Sequence, residues 1–97
     1  MATRWKRYYK RQLQDPEMKE LVERELASLR LGAEIARIRE KRHLSQTQLA
    51  ARAGMSASKI SAMENSPRNV ELGTLIRIAR ALGYRIRPEF IPLSSLD

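Results

Sequence analysis

The sequence contains no cysteine and a single histidine, His43. A disulfide scaffold, a thiolate metal site and a cysteine nucleophile are therefore excluded, as is a metal site built from two imidazoles. No apolar run approaches the roughly 18 residues of a membrane span. No apolar stretch follows the basic N-terminus, as it would in a signal peptide. These absences predict a small, soluble, intracellular protein that uses no membrane, metal or cofactor.

The net charge is strongly positive and unevenly distributed. The 97 residues include 19 Lys and Arg against 11 Asp and Glu, a formal charge of +8. Residues 1–14 carry +5, residues 15–34 carry −3 and residues 35–97 carry +6. Small basic proteins are enriched in nucleic-acid binders, because a positive surface is attracted to phosphate. Blocks of alternating sign indicate either several partner surfaces or simply solvated helix faces.

The hydrophobic pattern predicts five helices. Asp15-Pro16 marks the start of the first helix, which carries an apolar stripe opposite an acidic face. Gly32 predicts a bend or break near residues 28–32, after which a second helix ends near His43. Three shorter helices are predicted at about residues 46–53, 56–65 and 71–82.

The residues after the last predicted helix alternate bulky and charged side chains, which is typical of a strand. Pro88 and Pro92 lack amide donors, so this strand would be short or lie at a sheet edge. The chain is therefore divided into an N-terminal extension at 1–29, a helical domain at 30–83 and a C-terminal tail at 84–97.

The strongest functional signal is the spacing of small and apolar residues between Gln46 and Met63. Ala50 lies where two short helices would approach closely, Gly54 lies at the turn, and Ile60 is the apolar wedge of the second helix. Any tight helical hairpin could share this spacing, but the second helix carries almost no acid on its outer face. The spacing predicts a helix-turn-helix whose second helix enters the major groove of DNA.

Ten residues are predicted to contact DNA. Ser58 and Lys59 can donate to base edges, with lysine favouring guanine, whereas the alanines could contact only thymine methyl groups. The polar residues at helix starts and in the following loop are predicted to contact phosphate; the alternative for each is an ordinary exposed side chain. The predicted set is Gln46, Gln48, Arg52, Ser56, Ala57, Ser58, Lys59, Ala62, Arg68 and Asn69.

Residues 35–82 resemble the lambda-repressor-like (XRE) family of DNA-binding domains. The resemblance is carried by the Leu-Ser-Gln-Thr-Gln-Leu-Ala run, by Met-Glu-Asn at 63–65 and by Thr-Leu-Ile-Arg-Ile-Ala at 74–79. It implies an ion pair between Arg39 and Glu64 and makes a direct DNA role for Glu64 unexpected. The predicted fold is thus all-α: a five-helix lambda-repressor-like domain with an N-terminal helical extension and a short C-terminal β-strand.

The flanks are similar to those of HigA-type antitoxins of type II toxin–antitoxin modules. The similarity lies in a head containing Trp and Lys, an acidic helix before the domain and the tail Ile-Arg-Pro-Glu-Phe-Ile-Pro-Leu. It implies a bacterial, cytoplasmic, nucleoid-associated protein that neutralises a RelE/ParE-fold, ribosome-dependent mRNA endonuclease. It also implies a homodimer that represses its own operon at a palindromic operator, more strongly with toxin bound.

Two apolar sets lie ahead of the domain and are predicted to bind the toxin. The aromatic residues of the head would pack on the chain's own helix, anchor a toxin or stack on nucleic acid. The stripe on the acidic helix would form an intramolecular core or fill a toxin groove, since such a helix does not bury an apolar face alone. The predicted toxin-binding residues are Trp5, Tyr8, Tyr9, Met18, Leu21, Val22 and Leu26.

The apolar residues of the tail are predicted to support a dimer. They would either pack only on their own domain or pair with a twofold mate through an edge strand. DNA readers of this type gain from dimerisation, because two half-sites double the contacts. The predicted dimerisation residues are Ile86, Phe90 and Ile91.

Three functions are compatible with the residues: an antitoxin that also represses transcription, a stand-alone repressor, and a small enzyme such as a nuclease. The enzyme is disfavoured because the acids at 15–25 lie mostly on a solvated face and no histidine accompanies them. His43 is predicted to lie at a helix end. The sequence therefore predicts a DNA-binding antitoxin with no catalytic residue.

Overall fold

A computed structural model describes residues 15–93. They form four α-helices: α1 (Pro16–Lys41), α2 (Gln46–Ala53), α3 (Ala57–Asn65) and α4 (Leu72–Ala81). None of the helices in this described part is both long and apolar enough to cross a bilayer. The head residues Trp5, Tyr8 and Tyr9 lie outside the described range.

The all-α class fits the structure, but the prediction of five helices is wrong. One continuous helix, α1, replaces the two helices expected before residue 42. Gly32 does not break it. This residue is buried where α1 packs against the end of α3, and a Cβ there would collide with the backbone carbonyl of Glu64. Glycine is therefore required by the close approach of two backbones, and packing overrides its low helix propensity.

The prediction of a C-terminal β-strand is also wrong. Residues 84–92 form no regular secondary structure, and Phe90 and Ile91 are exposed. A strand requires the backbone groups of a partner strand, and residues 15–93 contain none. Pro88 and Pro92 remove two more donors. The alternating bulky and charged side chains were therefore not sufficient to form a strand, because these residues contain no partner strand.

The helix ends are set by local chemistry. The Asp15 carboxylate accepts a hydrogen bond from the Glu17 amide at 3.0 Å, which fixes the start of α1. At the other end His43 lies at φ 57°, and the Leu44 amide donates to the Arg39 carbonyl at 3.1 Å. This left-handed residue ends the helix, so the prediction that His43 lies at a helix end is confirmed.

The core lies between the C-terminal half of α1 and the three shorter helices. Leu49, Ile60 and Ile78 are its largest fully buried side chains, one from each short helix. The buried residues of α1 are Gly32, Ile35 and Ile38. No α1 residue before Gly32 is buried, so the N-terminal half of α1 projects from the core.

Candidate nucleic-acid interface

The turn between α2 and α3 has the geometry that the sequence predicts. Ala50 is 3% exposed and Ile60 is fully buried, so a methyl group and a branched wedge fill the space between the two helices. Gly54 lies at φ 68°, a conformation that costs a residue with a Cβ about 1–2 kcal/mol. These three residues fix the orientation of α3 against α2.

One face of α3 remains accessible. Ile60 and Met63 are buried beneath the helix, whereas Ser58, Lys59 and Ala62 are exposed. The Ser56 hydroxyl accepts a hydrogen bond from the Lys59 amide at 3.1 Å, which caps the helix start. The surface of α3 that is predicted to contact bases is therefore exposed to solvent, and the N-terminus of the helix is capped.

The one acidic residue of α2 and α3 has its side chain withdrawn from solvent. Glu64 is the only Asp or Glu between residues 44 and 70, and its side chain is only 6% exposed. Arg39 donates to it from Nε at 2.6 Å and from Nη2 at 3.1 Å, and Arg39 Nη1 also donates to the Leu44 carbonyl at 2.7 Å. The predicted Arg39–Glu64 pair is confirmed. No unpaired carboxylate therefore opposes phosphate on α2 or α3.

Hydrogen bonding sets the ionisation of this pair. Burial alone would raise the pKa of Glu64, but the hydrogen bonds from Arg39 and Gln46 outweigh burial and lower its pKa below 4.5. The hydrogen bond to Glu64 raises the pKa of Arg39 above its ordinary value. Both groups are therefore charged at neutral pH, and the pair joins α1 to the end of α3.

Two predicted phosphate contacts also have structural roles. Gln46 donates from Nε2 to Glu64 Oε1 at 3.1 Å, which ties the start of α2 to the end of α3. Gln48 and Ser45 form a reciprocal capping box, with the Ser45 amide donating to Gln48 Oε1 at 2.8 Å. Both side chains are thereby held in fixed positions at the start of α2.

The other predicted DNA-binding residues differ in exposure. Ala57 is half-buried and packs on the core, so little of it is available to a base. Arg52, Arg68 and Asn69 are exposed, and Asn69 adopts a left-handed conformation at φ 47°. Arg68 donates from Nε to the Ser66 hydroxyl at 3.4 Å. The exposed cations of the predicted set are thus Arg52, Lys59 and Arg68.

Sequence reasoning missed Arg77. From α4 its Nη2 donates to the carbonyl of Ala53 at 3.0 Å and to that of Gly54 at 2.9 Å. These carbonyls belong to the end of α2, where a cation satisfies acceptors that the helix leaves unpaired. The two acceptors lie 24 and 23 residues away along the chain, so no local pattern indicates the contact.

Of the residues predicted to bind partners, those in the described range lie on α1 and in the tail. Met18 and Val22 are half-buried, whereas Leu21 and Leu26 are each 49% exposed on the projecting half of α1. In the tail, Ile86 is half-buried and both Phe90 and Ile91 are exposed.

Comparison with known proteins agrees with this geometry. A family model described as helix-turn-helix matches residues 35–88. The chain is 38% identical over 53 residues to an uncharacterised HTH-type transcriptional regulator, y4dJ, of Sinorhizobium fredii, covering 55% of this chain and 69% of the regulator. It is 36% identical over 73 residues to antitoxin HigA1 of Mycobacterium tuberculosis, covering 75% of this chain and 49% of HigA1.

The chain thus spans about half the length of HigA1 and about two thirds of the regulator. The family match covers more than half of the chain and includes α2, the turn and α3. This protein belongs to the helix-turn-helix family of DNA-binding domains and is similar to HigA-type antitoxins.

Proposed function

We propose that this protein is a DNA-binding antitoxin without catalytic activity. It binds a palindromic operator as a homodimer, represses its own operon and neutralises a RelE/ParE-fold mRNA endonuclease. The observation that carries the proposal is the acid-free outer face of α2 and α3, on which Lys59 is exposed. Such a face suits a polyanion, because each exposed cation that meets a phosphate releases a counterion.

Recognition of DNA is divided between the two helices. Ser58 and Lys59 are placed to donate to base edges in the major groove. Arg52 and Arg68 flank α3 and suit phosphate, as does the start of α2 at Gln46. With only two polar base readers, much of the affinity comes from the backbone contacts.

The antitoxin part of the proposal is supported by the extent of the similarity to HigA1. That similarity runs over 73 residues, which is longer than the matched domain at 35–88, so it includes flanking sequence. The projecting half of α1 is acidic and carries an exposed apolar stripe, a suitable surface for a small basic toxin. The stripe comprises Met18, Leu21, Val22 and Leu26, and the head residues Trp5, Tyr8 and Tyr9 extend the proposed contact.

The toxin contact is tested by growth rescue. A RelE/ParE-fold toxin encoded beside this chain is induced in bacteria, with and without the full chain. We expect the wild-type chain to restore growth, and the exposed-site variant Leu21→Glu with Leu26→Glu to fail while still binding operator DNA. Leu72→Glu, at an exposed leucine of α4, is the matched control and should rescue. Rescue by the double variant would show that α1 does not form the toxin contact.

A stand-alone transcriptional regulator is the second candidate. The similarity to the regulator y4dJ favours it, since that match covers most of the regulator. The two functions share the DNA interface and differ in the toxin. Copurification of a small basic protein with the full chain from its native host indicates the antitoxin; its absence under conditions that retain operator binding indicates the regulator.

A further inference from the structure

The two ends of α3 are held in place by different contacts. At the C-terminal end, Arg39 of α1 binds the Glu64 carboxylate, and the backbone of Glu64 packs closely on Gly32. The N-terminal end carries Ser58 and Lys59 and follows directly on the turn from α2. The position of these two side chains therefore depends on the conformation of that turn.

The turn consists of Gly54, Met55 and Ser56. Gly54 lies at φ 68°, in the left-handed region, and the Met55 amide donates to the Ala50 carbonyl at 2.9 Å. The last carbonyls of a helix have no donor from within the helix, and they form the negative end of its dipole. A cation that binds these carbonyls therefore fixes both the end of α2 and the start of the turn.

Arg77 of α4 supplies such a cation. Its Nη2 donates to the carbonyls of Ala53 and Gly54, at 3.0 and 2.9 Å, so one nitrogen binds two consecutive carbonyls. The same nitrogen lies 3.2 Å from the position that a Cβ on Gly54 would take. No carboxylate of residues 15–93 forms an ion pair with Arg77. The positive charge of Arg77 is therefore matched by the carbonyls of the turn and not by an acid.

Arg77 connects α4 to the start of α3. The closely packed helix pairs of the described chain are α1 with α3, α2 with α3 and α2 with α4. Because α3 and α4 do not pack closely on each other, α4 influences the placement of α3 through α2 and the turn. The Arg77 side chain is exposed, and an exposed hydrogen bond contributes little to global stability. Loss of the contact should therefore change the turn more than it changes the stability of the fold.

We propose that Arg77 is a positioning residue for DNA recognition, which fixes the turn and thereby the angle at which α3 presents Ser58 and Lys59. Arg77 does not itself contact DNA. This role rests on the proposed function, in which Ser58 and Lys59 donate to base edges. A side chain that recognises a partner must be held within about 0.5 Å of its productive position. A small rotation of α3 therefore weakens the base contacts before it weakens the phosphate contacts.

Hydrogen exchange of the full chain without DNA tests the contact with the turn. Arg77→Met keeps a long apolar side chain and removes the cation. We expect the Met55 amide of this variant to exchange on the order of 10-fold faster than in the wild type. The Leu49 amide, which donates to the Ser45 carbonyl in α2 at 3.0 Å, should exchange at the wild-type rate. An unchanged rate at Met55 would overturn the proposal, and so would equal acceleration at both amides, which indicates global destabilisation.

Fluorescence anisotropy with the promoter duplex of the chain's own operon tests recognition, at a temperature where circular dichroism shows every variant folded. We expect Arg77→Met to bind this duplex on the order of 10-fold more weakly and a scrambled duplex as tightly as the wild type does. Arg77→Lys should retain most of the affinity, because one ammonium nitrogen can donate to both carbonyls. Arg80→Met removes an equal charge from an exposed position one turn along α4 and is the matched control, which should bind like the wild type. Wild-type affinity for the promoter in Arg77→Met would overturn the proposal.

Salt dependence distinguishes positioning from a direct phosphate contact. Loss of one phosphate contact lowers the slope of log affinity against log salt concentration by about 1. We expect Arg77→Met to keep the wild-type slope; a slope lower by about 1 would assign Arg77 to a phosphate contact and overturn the positioning role. Equal binding of the promoter and scrambled duplexes by the wild type would contradict the proposed function and, with it, the role of Arg77 in recognition. The exchange rate at Met55 distinguishes that failure from failure of the contact itself, because it is measured without DNA.

Discussion

Arg39 holds Glu64 with two hydrogen bonds, from Nε to Oε2 at 2.6 Å and from Nη2 to Oε1 at 3.1 Å. Both side chains are largely withdrawn from solvent, at 13% and 6% exposure. Gln46 adds a third hydrogen bond to the same carboxylate. Three helices therefore meet at one side chain, and the angle at which α3 is presented depends on it.

Loss of the arginine should destabilise the fold. Arg39→Met leaves a buried carboxylate without its cation, and we expect the free energy of unfolding to fall by about 3 kcal/mol. Arg37→Met is the matched control, because its partner Glu34 is solvent-exposed and the pair contributes little. Urea unfolding of the two variants measures the difference; equal effects would show that the Arg39 pair has no special role.

The same pair predicts acid sensitivity. The folded-state pKa of Glu64 lies below 4.5, its ordinary value, so its charged form stabilises the fold above that pH. This stabilisation is lost as the pH falls through the folded-state pKa. We expect Glu64→Gln to be less stable than the wild type at neutral pH and to lose less stability between about pH 6 and pH 3. Parallel pH profiles of the two proteins, from chemical unfolding, would contradict this assignment.

Replacing each of two helical glycines by alanine should change the free energy of unfolding in opposite directions. At Gly32 a Cβ would meet the backbone of Glu64, so Gly32→Ala should lower the free energy of unfolding by about 1–3 kcal/mol through overpacking. At Gly73 nothing lies within 4 Å of the added Cβ, so Gly73→Ala should raise it by up to about 1 kcal/mol. Thermal unfolding measures both. Stabilisation by Gly32→Ala would mean that α1 and α3 are not in close contact.

Features that depend on residues close together in the sequence were predicted, whereas features that depend on contacts between distant residues were not. Ala50, Gly54 and Ile60 lie within one short segment, and their spacing was sufficient to predict the turn between α2 and α3. Gly32 contacts the end of α3, and Arg77 contacts the end of α2, so their roles depend on tertiary packing that no local pattern records. For Gly32, helix propensity predicted a break, whereas packing required a small residue in a continuous helix.

The tail and the proposed DNA-binding surface also show that a local sequence pattern does not reveal tertiary partners. Alternation from Tyr84 onward predicted a strand, but a strand forms only with a partner, which the described residues lack. Exposure of Lys59 followed directly from the period of α3. The hydrogen bond from Gln46 to Glu64 could not be predicted from the sequence. A glutamine at the start of a helix is equally suited to contact a phosphate.

Base recognition is expected to depend on Lys59. Lys59→Ala should weaken operator binding by about 1–3 kcal/mol and relax preference at one base pair. Lys19→Ala removes an equal charge from the projecting half of α1 and should leave operator affinity and base preference unchanged. Binding selections on randomised duplexes measure preference and affinity together. Retained preference at every position in Lys59→Ala would assign base recognition to other residues.

The central claim is that the exposed face of α3 recognises duplex DNA. Its most direct test is a fluorescence anisotropy titration of the full chain, at fixed salt, with the promoter duplex of its own operon and with a scrambled duplex of equal length. The proposed function predicts binding to the promoter on the order of 10³-fold tighter than to the scrambled duplex. Equal affinity for the two duplexes would contradict it.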